Sequence, residues 1–138
     1  MTPRAGKKSP GHPQVAVIGY GSQGRAIALN LRDSGFPVTV GLRSRSKSRR
    51  LAKKDGIGSV TTVAATVREA DIVAFAFPDH LHSRVWARDI LPHLKDNTTL
   101  WFLHGLSIHF GFVVPPDSCD VILVAPHAPG RAVRDKFL

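Results

Sequence analysis

Gly19, Gly21 and Gly24 follow directly on the apolar run Val15-Ala16-Val17-Ile18, and the segment Arg43-Ser44-Arg45-Ser46-Lys47-Ser48 stands further along the chain. The first group is what a pyrophosphate needs. A strand that runs through Gly-x-Gly-x-x-Gly into a helix lets the backbone approach phosphate oxygens and points free N–H groups at them. Gly19 permits the tight turn, Gly21 keeps a Cβ out of the way of the phosphates, and Gly24 lets the helix close on the strand. Tyr20, Ser22 and Gln23 complete the turn and join the three glycines as candidate cofactor contacts. The second group lies where such folds choose between a ribose 2′-hydroxyl, met by Asp or Glu, and a 2′-phosphate, met by Arg. It carries no carboxylate. Arg43 can pair bidentately with a phosphate, and the hydroxyls of Ser44, Ser46 and Ser48 can donate to its remaining oxygens, with Arg45 and Lys47 as supporting charge. Ser46 equally suits a helix N-cap. The chemistry implied is redox work with NADPH.

The elements that must carry these residues are legible as alternating strands and helices. Val15 to Ile18 reads as a buried strand and Ser22 to Arg32 as a helix ended by Ser34-Gly35. Phe36 to Leu42 reads as a strand, and Ser46 to Lys54 as a helix stopped by Asp55-Gly56. Thr62 to Ala70 is predicted helical and Ile72 to Phe77 a strand broken by Pro78. Leu81 to Leu94 reads as mostly helical with a disturbance at Pro92, and Thr98 to Leu103 and Val121 to Ala125 as two more strands. This alternation predicts a Rossmann-like, doubly wound α/β fold, a mainly parallel sheet with helices on both faces.

Composition narrows the classes further. The 138 residues, 43% hydrophobic, suffice for one domain, placed at 14–138 behind a basic, Pro- and Gly-containing tail at 1–13 that reads as disordered. No apolar run approaches the roughly 20 residues that span a bilayer, and no membrane partner is expected. A single cysteine, Cys119, cannot form an internal disulfide, which suits a reducing, cytoplasmic setting. The net charge of +9 is concentrated in Arg43, Arg45, Lys47, Arg49, Arg50, Lys53 and Lys54. Nucleic-acid binding is the weaker reading of that cluster, because it follows a dinucleotide fingerprint and has few interleaved aromatics.

Longer motifs point to a family. Gly19-Tyr20-Gly21-Ser22-Gln23-Gly24, Ala28 to Gly35, Val40-Gly41-Leu42-Arg43, His104-Gly105-Leu106-Ser107-Ile108-His109-Phe110-Gly111, Val114-Pro115-Pro116 and Asp120 to Pro126 occur here in this order. Together they resemble ketol-acid reductoisomerase. The resemblance implies an NADPH-binding domain of an enzyme of branched-chain amino-acid synthesis, which with two Mg²⁺ ions shifts an alkyl group in a 2-acetolactate-type substrate and then reduces it. It implies His104 as the active-site histidine, either a proton relay or a hydrogen-bonded interior residue, His109 as structural, and Pro78-Asp79 as part of the cofactor groove. His127 stands where the family has a lysine, which puts oxyanion stabilisation there in doubt. The resemblance also implies a further, all-helical domain bearing the metal-binding carboxylates. The residues here supply no metal site: Glu69 is the sole glutamate, and His80-x-His82 does not share a helix face. The isolated chain is therefore expected to bind NADPH without isomerising substrate, and to partner a separate helical domain or a second copy. A non-catalytic NADPH-binding module is the alternative. Surface at Phe110, Phe112 and Val113 is expected to be left open.

Overall fold

The computed structural model describes residues 11–138, so most of the tail expected to be disordered lies outside the described residues; within its last three positions, the His12 ring rests against Phe36, centroids 4.5 Å apart. Six parallel strands form the sheet in the order β3-β2-β1-β4-β5-β6. In chain order the elements are β1 (Val15–Ile18), α1 (Ser22–Asp33), β2 (Val38–Gly41), α2 (Ser48–Lys54), β3 (Ser59–Thr61), α3 (Val63–Arg68) and β4 (Ile72–Phe75). A 3-10 turn (Asp79–Leu81) then leads into α4 (His82–Val85), β5 (Thr99–Phe102), α5 (Leu106–His109), β6 (Asp120–Leu123) and α6 (Gly130–Phe137). After β3, on one flank, the chain returns to the centre and builds outward from β4. That places the topological switch between β1 and β4, whose register pairs Val15 with Ile72 and Ile18 with Phe75.

Alternation along β1 explains why the sheet is covered on both faces. Val15 and Val17 point into a core formed with Ile27, Ala28 and Leu29 of α1 and Ala52 of α2. Ala16 and Ile18 point the other way, into a core with Val63, Val67, Trp86 and Ile90. Phe75 is the hub of that second core, its ring 4.3 Å from Phe102 and 5.7 Å from Phe77. The helical stretch after β4 is less regular than expected. It changes to a π-type turn at Trp86–Ile90 and to a 3-10 turn at Leu91–His93, which the proline at 92 enforces because it has no N–H to give.

Three elements were not expected from the sequence: β3, α5 and α6. The last is the most consequential, since it packs along α1. Gly130 fits there because a Cβ would collide with the Ser22 backbone, and Arg134 pairs with Asp33 while donating to Asn30 Oδ1 at 2.8 Å. One surface expectation needs correction. Val113 is not open but 1% exposed, because the chain turns back after α5 and the Val113 N–H donates to the Ser107 carbonyl at 3.1 Å.

The glycine turn is set by sterics. Gly19 has φ +99°, and a Cβ on it would strike the Ala76 carbonyl. A Cβ on Gly24 would sit 2.6 Å from the Gly19 oxygen and 3.2 Å from the Ala76 methyl, whereas one on Gly21 would meet nothing. Gly24→Ala is therefore expected to lose about 1–3 kcal/mol of stability, the usual cost of overpacking. Gly21→Ala should change it by less than about 0.5 kcal/mol. Chemical denaturation of the two variants checks this, and equal losses would contradict it.

Candidate dinucleotide site

The carboxyl ends of β1, β2 and β4 open into one groove, lined by Gly19, Tyr20, Arg43, Ser46, Ser48 and Pro78, with Leu42, Val63, Phe77 and Leu81 as an apolar wall. At its inner end α1 begins on Gly21 with no side-chain cap and no acidic residue in its first turn. The first-turn N–H groups of such a helix are unsatisfied and carry the positive end of its dipole. With open space where a Gly21 Cβ would be, the turn can take an anion directly against backbone.

The structure brings Gly19, Arg43, Ser46, Ser48 and Pro78 to this groove. Ser44 faces an adjoining recess with Arg43, Arg45, Thr62 and Arg88. Ser46, Lys47 and Arg50 line a further hollow on the outer side of the loop. Ser46 also serves the helix, its Oγ accepting from the Ser48 N–H at 3.3 Å. α2 accordingly starts at Ser48, two residues later than the sequence suggests.

Other candidates turn their side chains to neighbours within the fold. Tyr20 is buried and its hydroxyl donates to Asp55 Oδ2 at 2.9 Å. Burial, and then this hydrogen bond to a carboxylate, push the phenol well above its ordinary range. Arg25 pairs with the same Asp55 at 2.7 Å and holds its carboxyl below the usual value. Gln23 donates through Nε2 to the Ala128 carbonyl at 2.9 Å, so its amide joins α1 to the segment before α6. Ser22 lies under Gly130, in the cleft between α1 and α6. His127 is exposed. His109 stands edge-on to Phe110, centroids 4.7 Å apart.

Asp79 does not line the groove beside Pro78. Its Oδ2 lies 2.8 Å from His104 Nε2, at the carboxyl ends of β4 and β5. Beneath this pair is a residue that the sequence offered only as a failed metal ligand. His82 is 4% exposed. Its Nε2 lies 2.9 Å from the Phe77 carbonyl and its Nδ1 2.6 Å from Ser107 Oγ. A carbonyl only accepts, so Nε2 carries the proton and Ser107 donates to Nδ1. Burial depresses the pKa of His82, in keeping with a neutral ring. Arg49 is the second residue that sequence reasoning missed. Named there only as a member of the basic cluster, it donates from Nε to the Arg43 carbonyl at 2.9 Å and from Nη2 to the Leu42 carbonyl at 3.0 Å. Its position in the first turn of α2, just behind the cationic loop, is the signal that could have singled it out. Among the described residues no cluster of three or more His, Cys, Asp or Glu could hold a metal ion, and no helix is long and apolar enough to cross a membrane.

Strand order, glycine turn and a groove over the β1–β4 boundary define a dinucleotide-binding domain of the doubly wound type. Residues 11–138 match the family described as acetohydroxy acid isomeroreductase, NADPH-binding domain, and the chain belongs to that family. It is 49% identical over 124 residues to the ketol-acid reductoisomerase (NADP(+)) of Pyrobaculum aerophilum, covering 90% of this chain and 38% of the relative. To that of Methanococcus maripaludis strain C5 it is 50% identical over 123 residues, covering 89% and 37%. Among solved structures, an NADH-preferring ketol-acid reductoisomerase from an uncultured archean superposes with TM-score 0.85 at 38% identity, covering 91% of this chain and 39% of that one. An imine reductase from Myxococcus stipitatus, at 24% identity and TM-score 0.68, shares the fold. The chain thus spans well under half the length of the relatives it matches.

The depressed pKa of His82 makes stability depend on pH. Unfolded, His82 gains a proton below its ordinary value of about 6.5; folded, it gains one only at lower pH. The unfolded state then holds more protons, so stability falls as pH drops through about 6.5 and the loss levels off below the depressed value. Denaturation midpoints measured across this range should show the slope in the wild-type chain and a flatter one in His82→Gln. Parallel slopes would contradict the assignment.

Proposed function

We propose that this chain is the NADPH-binding part of a ketol-acid reductoisomerase, and that it binds the cofactor without completing the reaction alone. The observation that carries this is one groove that runs from the glycine turn at Gly19 and Tyr20, beside the uncapped start of α1, to Arg43, Ser46 and Ser48 of the cationic loop. The backbone N–H groups of Gly19 to Gly24 would hold the pyrophosphate, and the Arg43 guanidinium with the hydroxyls of Ser44, Ser46 and Ser48 would hold the 2′-phosphate. The adenine fits the apolar wall of Leu42, Val63 and Leu81. Bound there, the cofactor supplies the hydride for reduction of a carbonyl. His104, held by Asp79 beyond the inner end of the groove, is the residue that touches substrate. The described residues do not fit the Mg²⁺ ions of the family reaction, so the alkyl migration requires carboxylates from elsewhere in the enzyme. A cytoplasmic setting accords with this chemistry.

The test is a titration of the chain with NADPH and with NADH. NADPH is expected to bind at least about tenfold more tightly, and Arg43→Ala to remove most of that preference by deleting the bidentate partner. Equal affinity for the two cofactors in the wild-type chain would overturn the reading.

A protein partner belongs to the same proposal. The rings of Phe110 and Phe112 stack at 6.0 Å in the open, and every residue of the edge strand β6 is exposed although three of its four are apolar. Apolar surface of this extent marks an association face. Its occupant is the helical remainder of the enzyme. Without that remainder, sedimentation should show the chain self-associating as its concentration rises, and a strict monomer throughout would count against an association face.

A further inference from the structure

We propose that Asp79 is a positioning residue for His104, fixing which imidazole nitrogen is free to exchange a proton. This rests on the reading of His104 as the group that touches substrate.

Asp79 follows Pro78, a groove residue, and a side chain there could have faced the cofactor. Its carboxylate goes instead to His104 Nε2, at 2.8 Å. An ionised carboxylate only accepts, so Nε2 carries the proton and Nδ1 keeps its lone pair. The His104 side chain is 52% exposed, which leaves room for a substrate at that nitrogen. An exposed imidazole would otherwise sample several rotamers, and a charge-assisted hydrogen bond is the means of holding one.

Both partners are held from below. Asp79 opens the 3-10 turn that leads into α4 at His82, and His104 lies three residues before Ser107. The buried contact between His82 Nδ1 and Ser107 Oγ, at 2.6 Å, joins these two segments. The His82 ring is fixed in turn by the Phe77 carbonyl at 2.9 Å and by the rings of Phe75 and Phe77, centroids 5.4 and 4.5 Å away. His82 and Ser107 are each almost wholly buried, so the bridge is out of reach of substrate. Its effect is to keep the ends of β4 and β5 in register beneath the Asp79–His104 pair.

The proton balance is simple. When a substrate hydroxyl gives its proton to Nδ1, the O–H bond breaks, an Nδ1–H bond forms, and the oxygen keeps the electron pair. The resulting imidazolium retains its Nε2–H on Asp79, which stays ionised and stabilises the positive charge. Return of the proton from Nδ1 restores the starting state. Asp79 transfers nothing.

The experiment is NMR of the imidazole nitrogens in the intact chain, well above the ordinary histidine pKa of about 6.5. The His104 signal is assigned by its loss in His104→Gln. In the wild-type chain His104 should show a protected Nε2–H that exchanges slowly with water, unusual for an exposed ring. Asp79→Ala should lose that signal, and Asp79→Asn, which keeps a carbonyl acceptor, should restore it in part. Ser107→Ala, with Asp79 intact, should speed the exchange by cutting the bridge beneath. Absence of a protected Nε2–H in the wild-type chain overturns the proposal whether or not any variant folds, and so does its persistence in Asp79→Ala. None of these readouts needs NADPH. A failed cofactor titration would therefore sink the proposed function while the role of Asp79 was still decided by the spectra.

Discussion

Everything at the binding face depends on how closely α1 approaches the centre of the sheet. Gly24 lies against the Gly19 carbonyl and the Ala76 methyl, with no space for even one further carbon. That contact brings the first turn of the helix over the end of β1, where its free N–H groups face the groove. It also fixes the exit of β4. Ala76 donates its N–H to the Ile18 carbonyl at 2.9 Å, so Phe77, Pro78 and Asp79 leave the sheet in a direction set by the turn. The groove wall and the Asp79–His104 pair are both downstream of this packing.

The basic residues divide into two populations. Arg25, Arg32, Arg49 and Arg134 are committed to Asp55, Asp33 or backbone carbonyls and act as internal ties. Arg43, Arg45, Lys47 and Arg50 remain exposed around one loop. The committed ones are what keep the connecting segments in place. Tyr20 and Arg25 both bind Asp55, the residue that closes α2, and so fasten the glycine turn to the far end of the helix that carries the cationic loop. A high net charge in this chain is thus partly an architecture and partly an exposed cationic loop.

Much of this was legible in the sequence. Long apolar runs and paired helix stops located β1, β2, β4 and α1, because burial on both faces leaves little ambiguity in Val15–Ile18 or Ile72–Phe75. The elements that escaped are short or polar. Ser59-Val60-Thr61 is a half-buried edge strand with a single strongly apolar residue. α6 begins with a glycine and reads Arg-Ala-Val-Arg-Asp-Lys, and it is helical because α1 provides a surface for it. At the site, spacing and family resemblance located positions but not side-chain directions. The side chains of Tyr20, Gln23 and Asp79 each point to a neighbour brought near only by tertiary packing. Val113 was misjudged for the same reason, since its burial depends on a return of the chain that no local pattern announces.

The clamp formed by Arg49 separates two properties that loops usually mix. By holding the Leu42 and Arg43 carbonyls from behind, it shapes the loop without drawing on the side chains of Arg43 or Ser44. Little ordering of the backbone is left to occur when a ligand arrives, so that entropic cost is met during folding. The exposed side chains are then interchangeable fittings on a fixed frame. Under the proposed function, cofactor preference rests on a few side chains that can be substituted while the scaffold stays the same.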